Sequence, residues 1–272
     1  MSKKKKIAIL GGGNIGLAIV NGLIKSKMFL PGNITLTRKH PEHIEHLKKS
    51  GIQVSADNQA AVQNSEIIII AVQPQQLNDL LDEIKDSLNE KKHLLISVVS
   101  GAGIKAIRAH IGKNLNIIRA MPNTAIAIGE SMTCLAADKK TNSALKIAEN
   151  IFSSVGRTLV IDEKLMVPAT ALCACGTAFF LRAIRAASQG GIEIGFHSEE
   201  ALLMAAQTAK GAAALLGITD HHPESEVDKV TTPLGCTISG LNQMEHYGFS
   251  SAMIRGIVTS AEKAAKLYSV DE

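Results

Sequence analysis

The sequence has little aromatic character: it contains no tryptophan, two tyrosines and six phenylalanines in 272 residues. Proteins that bind single-stranded nucleic acid stack the bases on aromatic side chains. Together with a formal net charge of only +4, this scarcity argues against nucleic acid as a partner. It also leaves the core to alanine, isoleucine, leucine and valine, which suit buried parallel strands and closely packed helices.

The sequence also lacks long apolar runs and has few cysteines. No run of about 18 apolar residues is present, so we expect no membrane span, no signal peptide and a cytoplasmic location. The four cysteines include one Cys-x-Cys pair, Cys173 and Cys175. A second close pair, which would complete a metal site, is missing. We therefore expect free thiols in a reducing compartment and no bound metal.

Short apolar runs alternate with helical patterns through the first 162 residues, as they do in a doubly wound α/β fold. Isoleucines 67–70 form a β-branched run that is typical of a strand buried on both faces. We predict a Rossmann-type domain over residues 1–162, with a largely parallel sheet. Strands are predicted at Lys6–Leu10, Ile34–Thr37, Ile52–Val54, Ser65–Val72, His93–Val99, Asn116–Ala120, Ser131–Ala136 and Arg157–Ile161, and helices at Asn14–Ser26, Glu42–Ser50, Leu77–Leu88, Ile104–His110 and Thr141–Val155.

The pattern changes after Asp162, where only helices are predicted. These helices carry alanine and other small residues on more than one face, and a helix that is apolar all round must be buried. A domain of residues 163–272 alone cannot cover every such face. We therefore predict an all-α dimerisation domain that interlocks in a homodimer. The predicted helices are Glu163–Gln189, Ser198–Leu216, Pro223–Val230 and Ser250–Leu267.

The segment Gly11-Gly12-Gly13-Asn14-Ile15-Gly16 fits the pattern G-x-G-x-x-G, between a predicted strand and a predicted helix. Glycines allow a tight turn that approaches a pyrophosphate closely, and the helix N-terminus presents free N–H groups to it. A glycine-rich turn without a ligand is the alternative. The strand, the helix and the repeated units that follow favour dinucleotide binding.

The end of the second predicted strand distinguishes the two nicotinamide cofactors. NAD sites usually place a carboxylate there to bind the ribose 2′-hydroxyl. This sequence has Thr37, Arg38 and Lys39 instead, with no carboxylate before Glu42. A hydroxyl and two cations suit a 2′-phosphate, so NADP(H) is favoured over NAD(H). The alternative is that both cations are merely solvated.

Several segments resemble the motifs of one family. GGGNIGLA at Gly11–Ala18 is similar to G-x-G-N-M-G-x-A, and AVQP at Ala71–Pro74 is similar to A-V-K-P. MPNT at Met121–Thr124, followed by GESMT, is similar to M-P-N-T and G-E-G-M-T. VTTPLGCTISGL at Val230–Leu241 is similar to V-T-T-P-G-G-T-T-I-x-G-L. With these matches in the same order along nearly the whole chain, the sequence resembles the pyrroline-5-carboxylate reductases.

The resemblance implies NADPH-dependent reduction of 1-pyrroline-5-carboxylate to L-proline, by subunits that pair and sometimes form larger rings. It implies a catalytic hydroxyl at Thr237 and substrate contacts from Thr232, Gly235, Cys236, Thr237 and Cys175. The threonines could instead be helix caps. The implied cofactor-binding residues are Gly11, Gly13, Asn14, Ile15, Gly16, Arg38, Lys39, Asn58, Ala71, Val72, Pro74, Met121, Pro122 and Asn123.

The sequence departs from the family pattern near the expected substrate site. Cys173–Ala178 reads CACGTA, where the family has S-G-S-G-P-A, and Leu234 replaces the first glycine of P-G-G. Leucine there either fills space beside the substrate or demands a φ below zero. Two alternatives therefore stay open: a related reductase of another cyclic imine or small oxo acid, and a non-catalytic protein that binds a dinucleotide.

Overall fold

The computed structural model describes residues 5–138, 142–219 and 221–267. Contacts divide the chain into two compact units. The first comprises Met1–Cys175 with Ser260–Glu272, and the second comprises Gly176–Thr259. The predicted domain boundary after Asp162 lies upstream of this division, where the last strand has ended and the helical part of the chain begins.

The first unit is built on an eight-stranded sheet, and the predicted fold class is confirmed. The strand order is β3-β2-β1-β4-β5-β6-β7-β8, and every neighbouring pair is parallel except β6 and β7. Each predicted strand is present within two residues of its expected bounds. The strands are β1 Ile7–Leu10, β2 Ile34–Thr37, β3 Gln53–Ser55, β4 Ile67–Ile70, β5 Leu94–Ser97, β6 Asn116–Met121, β7 Ser131–Ala137 and β8 Gly156–Val160.

Helices cover both faces of the sheet. Alternate residues of a strand point to opposite faces, so Ile7 and Ile9 of β1 pack on one side while Ala8 and Leu10 pack on the other. β1 and β4 are buried throughout. Each fully buried isoleucine contributes about 1.5–3 kcal/mol to the stability of the fold. The helices are α1 Asn14–Lys25, α2 Asn58–Gln63, α3 Leu77–Ile84, α4 Ile104–Ile111 and α5 Asn142–Ser153.

Two local features of this unit differ from the sequence predictions. The segment Pro41–Ser50, predicted as a short helix over Glu42–Ser50, is helical but of 3₁₀ type. Helix α2 was not predicted; Asp57 caps its N-terminus by accepting from the Ala60 N–H over 2.9 Å. Thr141, the predicted first residue of α5, lies outside the described residues.

The predicted helix Glu163–Gln189 is interrupted by a change of helical geometry. A 3₁₀ turn and the short helix α6, Met166–Ala169, precede a π-helical turn at Thr170–Cys175. Glu163 anchors this stretch, because its Oε1 accepts from the Ile104 N–H over 2.6 Å and lies 3.6 Å from Nη1 of the buried Arg119. Burial lowers the pKa of Arg119, and the Glu163 carboxylate partly offsets that effect.

The second unit is helical and leaves much apolar surface exposed. The closely packed α7 and α8 meet at Gly191, where an added Cβ would lie 3.0 Å from Ala201. Large side chains such as Ile194, Leu203 and Ile218 are exposed. Its helices are α7 Gly176–Glu193, α8 Ser198–Thr219, α9 Pro223–Val230, α10 Cys236–His246 and α11 Phe249–Ala264, of which the last ends in the first unit.

Two helical stretches, Glu163–Glu193 and Ser198–Ile218, are long and apolar enough to cross a membrane by length and composition. Length and composition do not separate a membrane span from a helix that another subunit covers. Glycines and alanines on several faces of α8 are typical of close packing between helices. This apolar surface is the one that the sequence assigns to subunit contact.

Candidate active site

The loops that follow β1, β2 and β4 form a crevice at the carboxyl edge of the sheet. β1 lies between β2 and β4, and ligands of doubly wound folds bind where the strand order reverses in this way. The Gly11 N–H donates to the Thr37 carbonyl over 3.2 Å, and the Ala71 N–H donates to the Leu10 carbonyl over 2.8 Å. These bonds hold the three loops together.

The three motif glycines meet different constraints. Gly11 has a φ of +115°, and an added Cβ would lie 2.4 Å from the Ala71 carbonyl oxygen. Gly16 packs α1 onto the turn, so an added Cβ would lie 1.9 Å from the Gly11 carbonyl oxygen. Gly13 has a φ of −83°, and a Cβ added there would meet no atom of the described residues within 4 Å. The turn therefore keeps open space at the glycine that should approach a pyrophosphate.

A cavity of about 680 Å³ extends from this turn along the crevice. It brings together seven of the predicted cofactor-binding residues from four separate segments of the chain. Polar side chains from α3 complete one wall. The lining consists of Gly11, Gly12, Gly13, Thr37, Arg38, Lys39, His40, Ala56, Asn58, Ala71, Val72, Gln73, Gln76, Asp79, Leu80 and Glu83.

A polar network lines the part of the cavity beyond β2. Thr37 Oγ1 donates to Asn58 Oδ1 over 2.6 Å, and Asn58 Nδ2 donates to Glu83 Oε2 over 3.0 Å. Arg38 Nη1 donates to the Gly12 carbonyl over 3.0 Å, which turns the guanidinium toward the glycine-rich turn. Lys39 lines the same cavity. The two cations and the Thr37 hydroxyl thus lie on one wall of the cavity.

The other predicted cofactor-binding residues lie outside the lining of this cavity. Asn14, Ile15 and Gly16 begin α1, and Pro74 begins a 3₁₀ turn after β4. Met121 ends β6 and is buried, as is Pro122, which follows it.

Asn123 is held in place by hydrogen bonds to two segments. Its Oδ1 accepts from the Ala125 N–H over 3.1 Å, and its Nδ2 donates to the Cys173 carbonyl over 3.1 Å. The loop after β6 is therefore attached to the π-helical turn. Cys175, the last residue of that turn, is partly exposed.

The predicted substrate residues of the second unit surround one tight turn. The Gly235 N–H donates to the Thr232 carbonyl over 2.9 Å, and Gly235 then caps α10 without a side-chain hydrogen bond. Thr232 and Thr237 are therefore not the N-cap of this helix. Cys236 and Thr237 occupy its first turn, where Thr237 is exposed, and the N–H groups of a first helical turn have no partner within the helix.

Leu234 occupies the turn with a φ of +61°. Of the two alternatives for leucine at this position, the one that demands a φ below zero is therefore wrong. The third residue of such a turn, after a proline, usually needs a positive φ, which is why glycine is favoured there. The turn keeps this geometry with leucine, at a cost of about 1–2 kcal/mol. The side chain is fully exposed.

Some residues that line the cavity were missed by the sequence analysis. His40, Gln76, Asp79 and Glu83 all face the crevice. Asp79 and Glu83 are four residues apart on α3, so they share a helix face. That spacing, on a helix that follows a strand ending at the crevice, is the signal that could have identified them.

Two family models match the chain. One, described as pyrroline-5-carboxylate reductase dimerisation, matches residues 163–267. The other, described as NADP oxidoreductase coenzyme F420-dependent, matches residues 6–101, which include the glycine-rich turn. Together they fall on the two parts of the chain that the sequence analysis separated.

Curated relatives match over nearly the whole chain. Pyrroline-5-carboxylate reductase 2 of Dictyostelium discoideum is 50% identical, over 98% of this chain and 94% of the relative. Pyrroline-5-carboxylate reductase 1 of the same organism is 56% identical over 97% of this chain, but the chain spans only 50% of that relative. The enzyme of Methanosarcina acetivorans is 34% identical over 97% of this chain and 98% of its own length.

Solved structures show the same fold. A pyrroline carboxylate reductase of Plasmodium falciparum with NADP bound superposes with a TM-score of 0.90 at 25% identity, covering 99% of this chain and 100% of its own. A pyrroline-5-carboxylate reductase of Coxiella burnetii superposes with a TM-score of 0.87 at 28% identity, covering 98% and 99%.

We expect Gly13→Ala to affect mainly NADPH binding and Gly16→Ala to affect mainly the stability of the fold. Gly13→Ala should fold with an unchanged melting temperature, because its Cβ meets open space, and should weaken NADPH binding about tenfold or more by blocking the approach of the pyrophosphate. Gly16→Ala should lower the free energy of unfolding by about 1–3 kcal/mol through overpacking. Thermal melts and NADPH fluorescence titrations measure both effects. Unchanged NADPH affinity in Gly13→Ala would contradict pyrophosphate binding at this turn.

Proposed function

The chain belongs to the pyrroline-5-carboxylate reductase family, and from this premise we propose that it reduces 1-pyrroline-5-carboxylate to L-proline with NADPH. The observation that carries the proposal is the cavity at the glycine-rich turn, where Arg38 and Lys39 line one wall. NADPH is oxidised in the reaction, so its absorbance follows turnover directly. Purified protein that oxidises NADPH only when 1-pyrroline-5-carboxylate is added, with formation of proline, supports the proposal.

The residues of the first unit fit an NADP cofactor. The open space at Gly13 leaves room for a pyrophosphate, and Asn14 and Ile15 supply N–H groups at the start of α1. Arg38 and Lys39 would bind the 2′-phosphate through charge-assisted hydrogen bonds. We assign Asn58 to the adenosine ribose. The residues Ala71, Val72, Pro74, Met121, Pro122 and Asn123 are assigned to the pyrophosphate and nicotinamide end. The bound cofactor supplies a hydride from C4 of its nicotinamide ring.

The substrate is assigned to the turn at Thr232–Gly235 and the first residues of α10. Backbone N–H groups of Gly235, Cys236 and Thr237 would bind the carboxylate, since a helix N-terminus is electropositive. The Thr237 hydroxyl would hydrogen-bond the ring nitrogen. Thr232 and Cys175 complete the assigned substrate contacts.

The reaction does not require a strongly acidic side chain in the protein. Reduction of a cyclic C=N bond is easier when the nitrogen carries a proton, and the product amine keeps that proton. An imine of this kind is readily protonated near neutral pH, so a hydroxyl that orients the nitrogen is sufficient. The main task of the protein is to hold the donor and acceptor carbons in contact.

Two departures from the family pattern bear on the substrate range: Leu234 and the CACGT segment that begins at Cys173. Both lie near the assigned substrate contacts, so a related cyclic imine or a small oxo acid is the second candidate. A panel of imino and keto acids, assayed with NADPH, separates the two. Cofactor binding without turnover of any member would instead favour a non-catalytic dinucleotide-binding protein.

The match of residues 163–267 to the family described as pyrroline-5-carboxylate reductase dimerisation indicates a homo-oligomer. We propose a dimer, or a larger ring of dimers, in which the exposed apolar surface of α7 and α8 is covered by another subunit. We also propose a cytoplasmic location, as expected from the sequence. Sedimentation velocity should show a dimer or a multiple of it; a monomer at micromolar concentration would overturn the assignment.

Replacement of Arg38 should change cofactor preference. We expect Arg38→Ala to raise the KM for NADPH about ten- to a hundredfold, since charge-assisted hydrogen bonds to the 2′-phosphate contribute about 1.5–3 kcal/mol. The KM for NADH should stay unchanged. That result would also show that the glycine-rich turn is intact without the hydrogen bond from Arg38 to the Gly12 carbonyl. Lys48→Ala is the matched control, because Lys48 is exposed and paired with Glu45. Equal effects on both cofactors would refute a 2′-phosphate contact.

Replacement of Thr237 should affect turnover more than folding. We expect Thr237→Ala to lower kcat about tenfold or more, because the ring nitrogen loses its hydrogen-bond partner. Its melting temperature should be close to that of the wild type, since the side chain is exposed. Thr237→Ser keeps the hydroxyl and should recover most of the activity. If kcat with 1-pyrroline-5-carboxylate is intact in Thr237→Ala, the catalytic assignment fails.

A further inference from the structure

We propose that Cys134 and Cys173 form a reversible disulfide that weakens cofactor-dependent turnover when the enzyme is oxidised. The two Sγ atoms lie 3.9 Å apart in the reduced protein. Cys134 lies on β7 and is buried, whereas Cys173 lies in the π-helical turn and is partly exposed. The family pattern has a serine at the position of Cys173, so this pairing depends on a residue at which the chain departs from that pattern.

The geometry requires only a local movement. A disulfide bond is about 2.05 Å long, so the sulfurs must approach each other by roughly the difference from the observed 3.9 Å. β7 is an internal strand of the sheet, hydrogen-bonded on both sides, while the π-helical turn lies at the end of the first unit. The turn is therefore the part that moves.

The two thiols differ in reactivity. The hydrogen bond from the Cys134 thiol lowers the pKa of Cys173 to about 7, although burial acts in the opposite direction. The same contact, together with burial, raises the pKa of Cys134. The thiolate is the nucleophile in cysteine chemistry, so the partly exposed Cys173 is the thiol that an oxidant meets first.

Oxidation by a hydroperoxide balances with these two thiols alone. The Cys173 thiolate attacks one oxygen of hydrogen peroxide, the O–O bond breaks, and protonation of the leaving hydroxide gives water and a sulfenic acid. The Cys134 sulfur then attacks the sulfenic sulfur, which forms the S–S bond. The thiol proton and the sulfenic hydroxyl leave as a second water. A dithiol reductant reverses the reaction by thiol–disulfide exchange.

The position of the pair connects it to the proposed nicotinamide site. Cys134 is the neighbour of Met121 across the antiparallel pairing of β6 and β7. The Cys173 carbonyl accepts from Asn123 over 3.1 Å. Movement of the π-helical turn therefore displaces the partner of Asn123. This effect on turnover rests on the proposed function, whereas formation of the disulfide does not.

In the test, the purified full chain is treated with hydrogen peroxide and the remaining free thiols are alkylated. The protein is then digested, and the peptides are identified by mass spectrometry. Trypsin separates the peptide that carries Cys134 from the one that carries Cys173 and Cys175, and fragment ions identify the sulfur that is joined. We expect a Cys134–Cys173 link that dithiothreitol removes. The absence of this link, or a link through Cys175 or Cys236 instead, would overturn the proposal.

Activity and binding measurements test the consequence. Oxidation should lower NADPH-dependent turnover about ten- to a hundredfold, since a displacement of about 1 Å near reacting groups has that effect, and dithiothreitol should restore it. Cys134→Ser should keep the activity and melting temperature of the reduced enzyme and lose its peroxide sensitivity. Cys175→Ser serves as the control for the link, which it should still form.

The two proposals can fail separately. A reduced protein that binds NADPH but turns over no substrate refutes the proposed function, while the peptide map still decides whether the disulfide forms. A disulfide that forms without changing either NADPH fluorescence titrations or turnover refutes the regulatory role.

Discussion

The close approach of the Gly11 backbone to the Ala71 carbonyl is the constraint on which the cofactor cavity depends. It brings the loop after β1 against the loop after β4, and the Gly11 N–H bond to Thr37 adds the loop after β2. Any side chain at position 11 would separate the two loops. Gly16 packs α1 onto the Gly11 carbonyl, so two close-packed glycines, Gly11 and Gly16, flank the open space at Gly13 in the sequence.

A second constraint acts on the helical unit, which cannot bury its own apolar surface. Side chains such as Leu203 and Ile218 are exposed along α8, and surface of this kind stabilises a fold only when another molecule covers it. The proposed subunit contact would therefore couple folding of this unit to association, and its stability would depend on protein concentration. The same apolar side chains make α8 long and apolar enough to cross a membrane by length and composition.

The sheet could be predicted well because its strands are short and are separated by clear turn residues, and because several of them are continuously apolar, as isoleucines 67–70 illustrate. The antiparallel direction of β7 against β6 was not predicted, although the nine residues that connect the two strands are too few for a parallel crossover. Helix α2, Asn58–Gln63, is too short for a helical period to be visible. The candidate site could be predicted where a motif has a backbone reason, as at Gly11–Gly16, and was missed where a wall comes from tertiary packing, as at Asp79 and Glu83.

The departures from the family pattern have different physical meanings in the two units. At Leu234 the backbone keeps a φ of +61°, so the turn geometry is retained at a cost that glycine would avoid. The side chain is fully exposed in the single chain, so no contact within the described residues offsets that cost. At Cys173 the backbone contact to Asn123 does not depend on the side chain. A thiol is therefore tolerated there by the structure, and its new property is chemical: it lies 3.9 Å from a second thiol, where serine could only form a hydrogen bond.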